Sequence, residues 1–142
     1  MTGTNTSAPK PCPCGSGRTG ASCCEPLLAG TRRATTALEL MRSRYTAYVR
    51  GNVEYLLATH AAQPTGLGDA ERRHHIELFT RATLWLGLEI IATERGRARD
   101  DDGVVEFVAA GVARGKPFRQ HERSRFRRGS DGGWLYVDGE LR

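Results

Sequence analysis

Four cysteines are the residues of this chain whose types and spacing most clearly indicate chemistry. They are Cys12, Cys14, Cys23 and Cys24, and the rest of the 142-residue sequence has no cysteine. A disulfide within so short a segment would close only a small loop and would stabilise little. Two nearby cysteine pairs can instead surround a tetrahedral cation. The spacing therefore predicts a four-thiolate metal site that holds zinc, with iron as the alternative because it accepts the same ligands.

The alternatives to a metal site are disulfides in a secreted peptide and a redox-active pair of thiols. The polar first ten residues lack the apolar stretch of a secretory signal, which disfavours secretion. Gly15 and Gly17 lie between the two cysteine pairs, where they allow the backbone to turn and to point N–H groups at the thiolates. Because thiolates fill all four positions, no position remains for a reactive water, and we expect a structural role for the metal.

The charge and the hydropathy of the chain bound its location and its partners. The net charge is +5 and the isoelectric point is about 9.4, which favours weak contact with anionic partners such as RNA or ribosomes. Four thiolates with a divalent cation would add a charge of about −2 and would reduce this excess. The sequence has no apolar run of the roughly 20 residues needed to cross a bilayer. We therefore expect a cytoplasmic protein.

Three helices are predicted in the part of the chain that follows the cysteines. Thr36, with a glutamate three residues later, forms a capping box that begins the first helix. Gly51 ends this helix and Asn52 caps a short second one. After a loop over residues 64–68, Asp69 caps the third helix.

Beyond Trp85 the apolar residues recur with period two, which predicts β-strands. The four predicted strands cover residues 86–96, 104–113, 118–128 and 134–137. Short segments rich in glycine, aspartate and proline separate them, so the strands should form an antiparallel meander. Helices followed by strands predict an α+β fold with the helices packed on one face of the sheet.

These patterns divide the chain into four segments. We expect residues 1–10 to form a disordered tail, residues 11–25 to form the cysteine segment, residues 26–34 to form a linker, and residues 35–142 to form the α+β domain. Leu27 and Leu28 of the linker could dock the cysteine segment onto the α+β domain.

Several motifs of the sequence resemble those of a known bacterial family and occur in the same order along the chain. The run Cys-Pro-Cys-Gly-Ser-Gly and the later Cys-Cys pair resemble the SEC-C motif, named for the metal-binding tail of the translocation motor SecA. The segments that resemble the YchJ family are 26–30, 40–48, 85–90, 121–126 and 136–139. The resemblance covers nearly the whole chain. It implies metal binding by the four cysteines and a cystatin-like cone of the nuclear-transport-factor type, with three helices packed on a curved antiparallel sheet.

The resemblance also implies a kind of partner. SEC-C motifs are associated with the translocation chaperone SecB and with ribosomes, usually through lysines and an aromatic residue between the cysteine pairs. This chain retains a single basic residue there, Arg18, and has no aromatic residue. The metal ligands are intact, whereas the surface for such partners is reduced.

Glu122 is the one candidate for catalysis in the α+β domain. The alternation of strand 118–128 places it on one face with the residues Phe118, Gln120, Ser124 and Phe126, while the arginines of the strand lie on the other, solvated face. A half-buried carboxylate in a pocket could act as a general base. Alternatively, Glu122 forms an ion pair with Arg42 or Arg44 of the first helix. The sequence contains no nucleophile elbow, phosphate loop or catalytic triad.

Three functions follow from these observations. We expect a non-enzymatic, metal-binding adaptor whose cysteine segment presents a small rigid surface to a protein partner. The second hypothesis is an enzyme or binder of small molecules that uses a pocket of the cone. The third is a module that binds ribosomes or nucleic acid through the arginine-rich strand face.

Overall fold

The computed structural model describes residues 9–62 and 68–142, so the first eight residues of the predicted tail and most of the predicted 64–68 loop lie outside the described residues. A 3-10 turn over Gly20–Ser22 precedes the helices. The helices are α1 (Glu25–Leu28), α2 (Ala37–Arg50), α3 (Val53–Ala58) and α4 (Asp69–Ala82). The strands are β1 (Thr83–Arg95), β2 (Asp102–Ala113), β3 (Lys116–Arg128) and β4 (Trp134–Leu141).

Helix α2 begins and ends as its sequence predicts. The Thr36 hydroxyl accepts a hydrogen bond from the backbone N–H of Glu39 at 3.1 Å. The Glu39 carboxylate reaches back by one residue more than in the usual capping box and accepts from the backbone N–H of Thr35 at 2.7 Å. Gly51 ends the helix with a φ of 70°, a conformation that favours glycine. Contacts between residues close in sequence thus determine where α2 begins and ends.

The predicted cap of α3 is confirmed, whereas the predicted cap of α4 is wrong by one residue. Asn52 caps α3 by accepting from the backbone N–H of Tyr55 at 3.1 Å, as expected. Gly68 occupies the cap position of α4, and Asp69 is the first residue of that helix. The carboxylate of Asp69 still lies at the positive end of the helix dipole, which explains why it marks the helix start in the sequence.

The four strands form one antiparallel sheet in the order β1-β2-β3-β4, which confirms the predicted meander. Strand β1 has register shifts between Trp85 and Gly87 and between Ile90 and Ala92. At the opposite edge, the segment after α3 adds a short parallel bridge to β4. There the backbone N–H of Ala61 donates to the Tyr136 carbonyl and the backbone N–H of Tyr136 donates to the Thr59 carbonyl, both at 2.8 Å. This bridge fixes the end of α3 against the sheet.

Helix α2 is buried on more of its surface than a single apolar stripe allows. The sequence predicts a stripe that includes Tyr45 and Val49, and Tyr45 is indeed buried. The prediction is wrong for Val49, whose exposed fraction is 37%. Thr46 and Ser43, which the stripe leaves out, are completely buried. Two different neighbours bury them: the Thr46 hydroxyl lies 3.7 Å from Cys12 Sγ of the cysteine segment, and the Ser43 hydroxyl lies 2.7 Å from the Tyr55 hydroxyl of α3.

The cysteine segment shares the main hydrophobic core with the α+β domain. Its four cysteines belong to the same buried cluster as residues of α2, β2, β3 and β4, namely Ala37, Leu40, Met41, Tyr45, Val105, Phe107, Ala109, Phe126 and Trp134. The segment expected to be a linker contains most of α1, with Leu27 buried. In the described part of the chain, no helix is both long and apolar enough to cross a membrane.

Candidate metal centre

A small backbone hairpin positions the first cysteine pair. The backbone N–H of Cys12 donates to the Arg18 carbonyl at 2.8 Å, and that of Gly15 donates to the Cys12 carbonyl at 3.2 Å. Gly15 and Gly17 have φ values of 76° and 89°, in the left-handed region where a side chain causes strain. These glycines allow the chain to reverse direction directly after Cys14.

The second cysteine pair lies where the 3-10 turn meets α1. The backbone N–H of Cys23 donates to the Gly20 carbonyl at 3.1 Å and so closes the turn. Cys24 is the N-cap residue of α1, and Pro26 lies in the first turn, where its missing N–H has no helical partner to lose. The 3-10 turn and the start of α1 together orient the side chains of Cys23 and Cys24 toward the other two cysteines.

The four sulfur atoms have a spacing that suits one tetrahedral ion. All four lie within 4.8 Å of one another, and every one of these side chains is buried. The Sγ atoms of Cys14 and Cys23 are 3.5 Å apart, and those of Cys23 and Cys24 are 3.9 Å apart. A regular tetrahedron with zinc–sulfur bonds of about 2.3 Å has sulfur–sulfur edges of about 3.8 Å. The residues present therefore fit a four-thiolate metal site.

None of the four cysteines forms a disulfide. The measured sulfur separations greatly exceed the roughly 2.05 Å of a disulfide bond. Disulfides within the cluster, one of the alternatives in the sequence, are thus not formed in this structure.

The acidities of these thiols differ strongly because the thiols interact. A hydrogen bond from Cys24 lowers the pKa of Cys14 to about 4, against the opposing effect of burial. The same hydrogen bond, together with burial, raises the pKa of Cys24, and burial raises the pKa of Cys23. Cys14 therefore loses its proton readily. The negative charge of its thiolate and the burial of the cluster then oppose loss of a proton from Cys23 and Cys24. A divalent cation bound among the sulfurs would replace the remaining protons.

Polar groups around the sulfurs come from both the cysteine segment and α2. The Ser16 hydroxyl lies 3.2 Å from Cys23 Sγ, and the Thr46 hydroxyl of α2 lies 3.7 Å from Cys12 Sγ. The Ser16 backbone N–H also lowers the pKa of Cys14, so the N–H donor expected from the glycines comes from the residue between them. The Arg42 guanidinium of α2 donates to the Cys14 carbonyl at 2.7 Å. Helix α2 thus supplies part of the site's surroundings.

Glu122 lies away from this cluster, in a separate cavity of the α+β domain. The cavity has a volume of about 360 Å³ and lies between α2, α4 and the sheet. The Glu122 carboxylate accepts hydrogen bonds from the Gln120 amide at 2.8 Å and the Ser124 hydroxyl at 2.6 Å. It also accepts from the Tyr136 hydroxyl at 3.3 Å. The predicted alternation of β3 is confirmed, since Ser124 and Phe126 are buried and Arg125 and Arg127 are exposed.

The expected ion pair between Glu122 and an arginine of α2 is wrong. Arg42 contacts the cysteine segment instead. Arg44 is buried and donates to the Leu56 carbonyl at 2.9 Å and to the Thr59 hydroxyl at 2.7 Å. Its guanidinium lies over the Tyr136 ring, 4.8 Å from the centroid. Tyr136 therefore lies between the buried cation and the carboxylate and contacts both.

The sequence analysis named Arg44 beside Glu122 only as an alternative ion-pair partner, and Tyr136 only as part of a family motif. It did not predict that Tyr136 lies between the two charged groups and contacts both. The one signal for Arg44 was its place on the helix next to Tyr45, which belongs to the predicted apolar stripe. The partners that bury it come from α3 and β4, which are distant in sequence.

The fold and the cysteine cluster define a class of protein: an antiparallel sheet covered by helices on one face, with a cysteine knuckle at its N-terminus. Residues 36–139 match the family model described as the YchJ middle NTF2-like domain. A solution structure of a SEC-C motif-containing protein from Rhodopseudomonas palustris superimposes with a TM-score of 0.76. It is 32% identical, and the match covers 92% of this chain and 98% of that one.

Two relatives from other bacteria match this chain over most of their length. A UPF0225 protein of Chromobacterium violaceum is 45% identical over 130 residues, which are 90% of each chain. A UPF0225 protein of Geobacter sulfurreducens is 42% identical over 128 residues, 90% of this chain and 77% of that protein. The chain belongs to the YchJ family of SEC-C motif-containing, UPF0225 proteins.

Proposed function

We propose that the chain binds one zinc ion through Cys12, Cys14, Cys23 and Cys24, and that this ion is structural. The observation that supports this proposal is the convergence of four buried ligand atoms within 4.8 Å. A hairpin and one turn of helix have too few apolar residues to fold without a metal. Thiolate ligands also require a reducing compartment, which fits the cytoplasm.

Metal content tests this proposal directly. We expect about one zinc per chain by elemental mass spectrometry, on untagged protein purified without oxygen. The double variant Cys12→Ser/Cys14→Ser should contain none, because two oxygens cannot replace two thiolate ligands. The control Ser22→Ala changes an exposed residue beside Cys23 and should keep the metal. One iron per chain would overturn zinc while keeping the four-thiolate site, and no metal in the wild-type chain would overturn the site itself.

We further propose that the metal-held segment is a non-enzymatic adaptor surface for a protein partner. Gly17, Arg18, Ala21 and Ser22 are exposed on the outer side of the segment, while the cysteines beneath them are buried. A surface built on a metal site changes shape little on binding and so loses little conformational entropy. The family resemblance indicates a translocation chaperone or the ribosome as the partner.

Site-specific crosslinking tests the adaptor role. A photoreactive amino acid at Ala21, introduced in the cells that produce the protein, should give one discrete crosslinked protein. The same probe at Lys116, an exposed residue at the start of β3, should not give it. The Cys12→Ser/Cys14→Ser background should abolish the crosslink, because the surface depends on the metal. The proposal fails if both positions give the same products or if Ala21 gives none.

A further inference from the structure

The cavity that contains Glu122 has the size and the walls of a small-molecule site. Its volume of about 360 Å³ is within the range of roughly 300–1,000 Å³ that such sites have. Three of the rings that line it, from α2, α4 and β1, contact one another and form an aromatic side of the cavity. The ring centroids of Phe79 are 5.8 Å from those of Tyr48 and 5.5 Å from those of Trp85. This aromatic side suits the flat ring of a ligand.

A buried cation lines the same cavity without a carboxylate partner. Arg44 has an exposed fraction of only 5%, and no carboxylate forms an ion pair with it in the described part of the chain. Its Nη1 atom donates to the Leu56 carbonyl and the Thr59 hydroxyl, and its guanidinium lies over the Tyr136 ring. Buried charges in proteins are normally paired with an opposite charge. Here the protein supplies neutral oxygens and a ring instead.

The remaining N–H groups of Arg44 are accessible from the cavity. Both hydrogen bonds of this side chain use Nη1, which leaves Nε and Nη2. Among the described residues, the buried side-chain atoms that have neither solvent contact nor a hydrogen-bond partner are Thr83 Oγ1 and Trp85 Nε1. Nε and Nη2 of Arg44 do not belong to this set, and the Tyr48 hydroxyl beside them also lines the cavity. A carboxylate in the cavity can therefore accept hydrogen bonds from Arg44.

The charged groups that line the cavity leave an excess of positive charge. Arg44 and Arg72 supply two guanidinium groups, whereas Glu122 supplies one carboxylate. That carboxylate already accepts three hydrogen bonds, and the Tyr136 ring separates it from Arg44. Arg72 has an ion-pair partner in Asp69 at 3.6 Å, but the Asp69 side chain is 98% exposed and that of Arg72 only 16%. Water therefore screens the aspartate more than it screens the arginine.

His60 responds to both arginines, which places their charges in the same part of the cavity. Burial lowers the pKa of His60, and repulsion by Arg44 and Arg72 lowers it further, so that its ring is neutral at pH 7. His60 thus adds no positive charge of its own. A negatively charged group beside it would lie in the field of both guanidinium groups.

From these features we infer that the cavity binds a small aromatic monocarboxylate. The carboxylate of the ligand accepts hydrogen bonds from Arg44 and lies in the field of Arg72. Its ring packs against the aromatic side of the cavity. One negative charge matches the excess of the lining, and it supplies the buried guanidinium with the partner that the chain does not. This site is independent of the metal and of the adaptor surface.

Benzoate is a suitable probe because it has one ring and one negative charge at pH 7. We would titrate it into the intact chain and follow the two tryptophan indole N–H signals by nuclear magnetic resonance. The Trp85 signal should move and saturate, because Trp85 lines the cavity, with a dissociation constant of about 0.1–1 mM for so small a molecule. Trp134 lies outside this cavity and its indole N–H donates to the Thr35 carbonyl at 3.1 Å, so its signal should stay in place as an internal control.

Benzamide and benzylammonium have the same ring without the negative charge. Each should bind at least about fivefold more weakly than benzoate, because a hydrogen bond from arginine to a carboxylate is stronger than one to a neutral acceptor. A smaller difference for either analogue would overturn the inference, since the ring alone would then determine the affinity. Failure of benzoate to move the Trp85 signal would overturn it as well.

Two matched substitutions on α4 locate the charge. Arg72→Gln and Arg73→Gln remove the same charge from neighbouring residues, but only Arg72 lines the cavity, whereas Arg73 pairs with Glu54 outside it. Arg72→Gln should raise the dissociation constant of benzoate at least about threefold, because it removes one of two nearby positive charges. Arg73→Gln should leave it within about twofold. Equal effects would overturn the inference, because they would show only a general attraction of anions to a basic protein.

A substitution of Arg44 tests the direct contact. Arg44→Lys keeps the positive charge but removes the planar fork of N–H donors, so benzoate should bind at least about fivefold more weakly. The dispersion of the amide spectrum shows whether the variant folds. An unfolded Arg44→Lys would be replaced by Ala109→Leu, which fills the cavity from β2 and should abolish the Trp85 shift. Benzoate binding as tight as in the wild type, in whichever of these variants folds, would overturn the inference.

Discussion

Replacing Cys23 by serine is expected to destabilise the whole domain and not only the cysteine segment. The four cysteines lie in the same buried cluster as α2 and the sheet, and the Arg42 guanidinium of α2 donates to the Cys14 carbonyl. Loss of a structural metal belongs to the changes that cost at least about 4 kcal/mol. For a domain of this size we expect the melting temperature to fall by about 10 °C or more.

Tryptophan fluorescence during thermal unfolding measures this effect in the β-sheet. Trp85 in β1 and Trp134 in β4 are the only two tryptophans of the chain, and both lie in the sheet. Ser22→Ala is the matched control, with an expected change within about 1 kcal/mol because Ser22 is exposed and the bonds of its hydroxyl with Thr19 lie at the surface. If the fluorescence transition of Cys23→Ser coincides with that of the wild type, the cysteine segment and the α+β domain are thermodynamically independent, and the shared core contributes nothing measurable.

Gly103→Ala is expected to have the second largest effect, at the end of the β1–β2 hairpin. An alanine Cβ there would lie 2.4 Å from the Cα atom and 2.7 Å from the N atom of Gly96. Both are backbone atoms, and Gly96 cannot move freely because its carbonyl accepts from the Ala37 backbone N–H at 2.9 Å. The substitution should therefore separate the hairpin from the start of α2. We expect a loss of about 3 kcal/mol in the free energy of unfolding.

Chemical denaturation with urea measures this loss, with Gly87→Ala as the control in the neighbouring strand. No atom lies within 4 Å of a Cβ added at Gly87, so this variant should change stability by less than about 1 kcal/mol. Equal effects of the two substitutions would contradict this expectation, because they would show that the close approach to Gly96 does not determine the cost.

Local signals made the secondary structure predictable. Thr36, Gly51 and Asn52 define the ends of α2 and α3 through contacts within four residues in sequence. The period-two pattern and the turn residues likewise place all four strands within a few residues of their ends, with β4 extending four residues further than predicted. Such features need no tertiary information.

Contacts between distant segments were not predictable in the same way. The burial of Thr46 depends on the cysteine segment, and that of Arg44 on acceptors in α3 and the loop after it. No local pattern in α2 specifies those partners. The cysteine cluster was predictable because its ligands are close in sequence, whereas the cavity around Glu122 draws residues from α2, α4 and all four strands.

The two register shifts in β1 affect how readily the edge of the sheet can pair with strands of other molecules. Strand β1 is an edge of the sheet and exposes Leu84, Leu86 and Ile91, a combination that favours pairing with strands of other molecules. A bulge breaks the even spacing of N–H and C=O groups along an edge, and β1 has two irregularities within seven residues of one another. The opposite edge, β4, is partly covered by the bridge from residues 59–61. Backbone geometry thus opposes strand addition at both edges of the sheet.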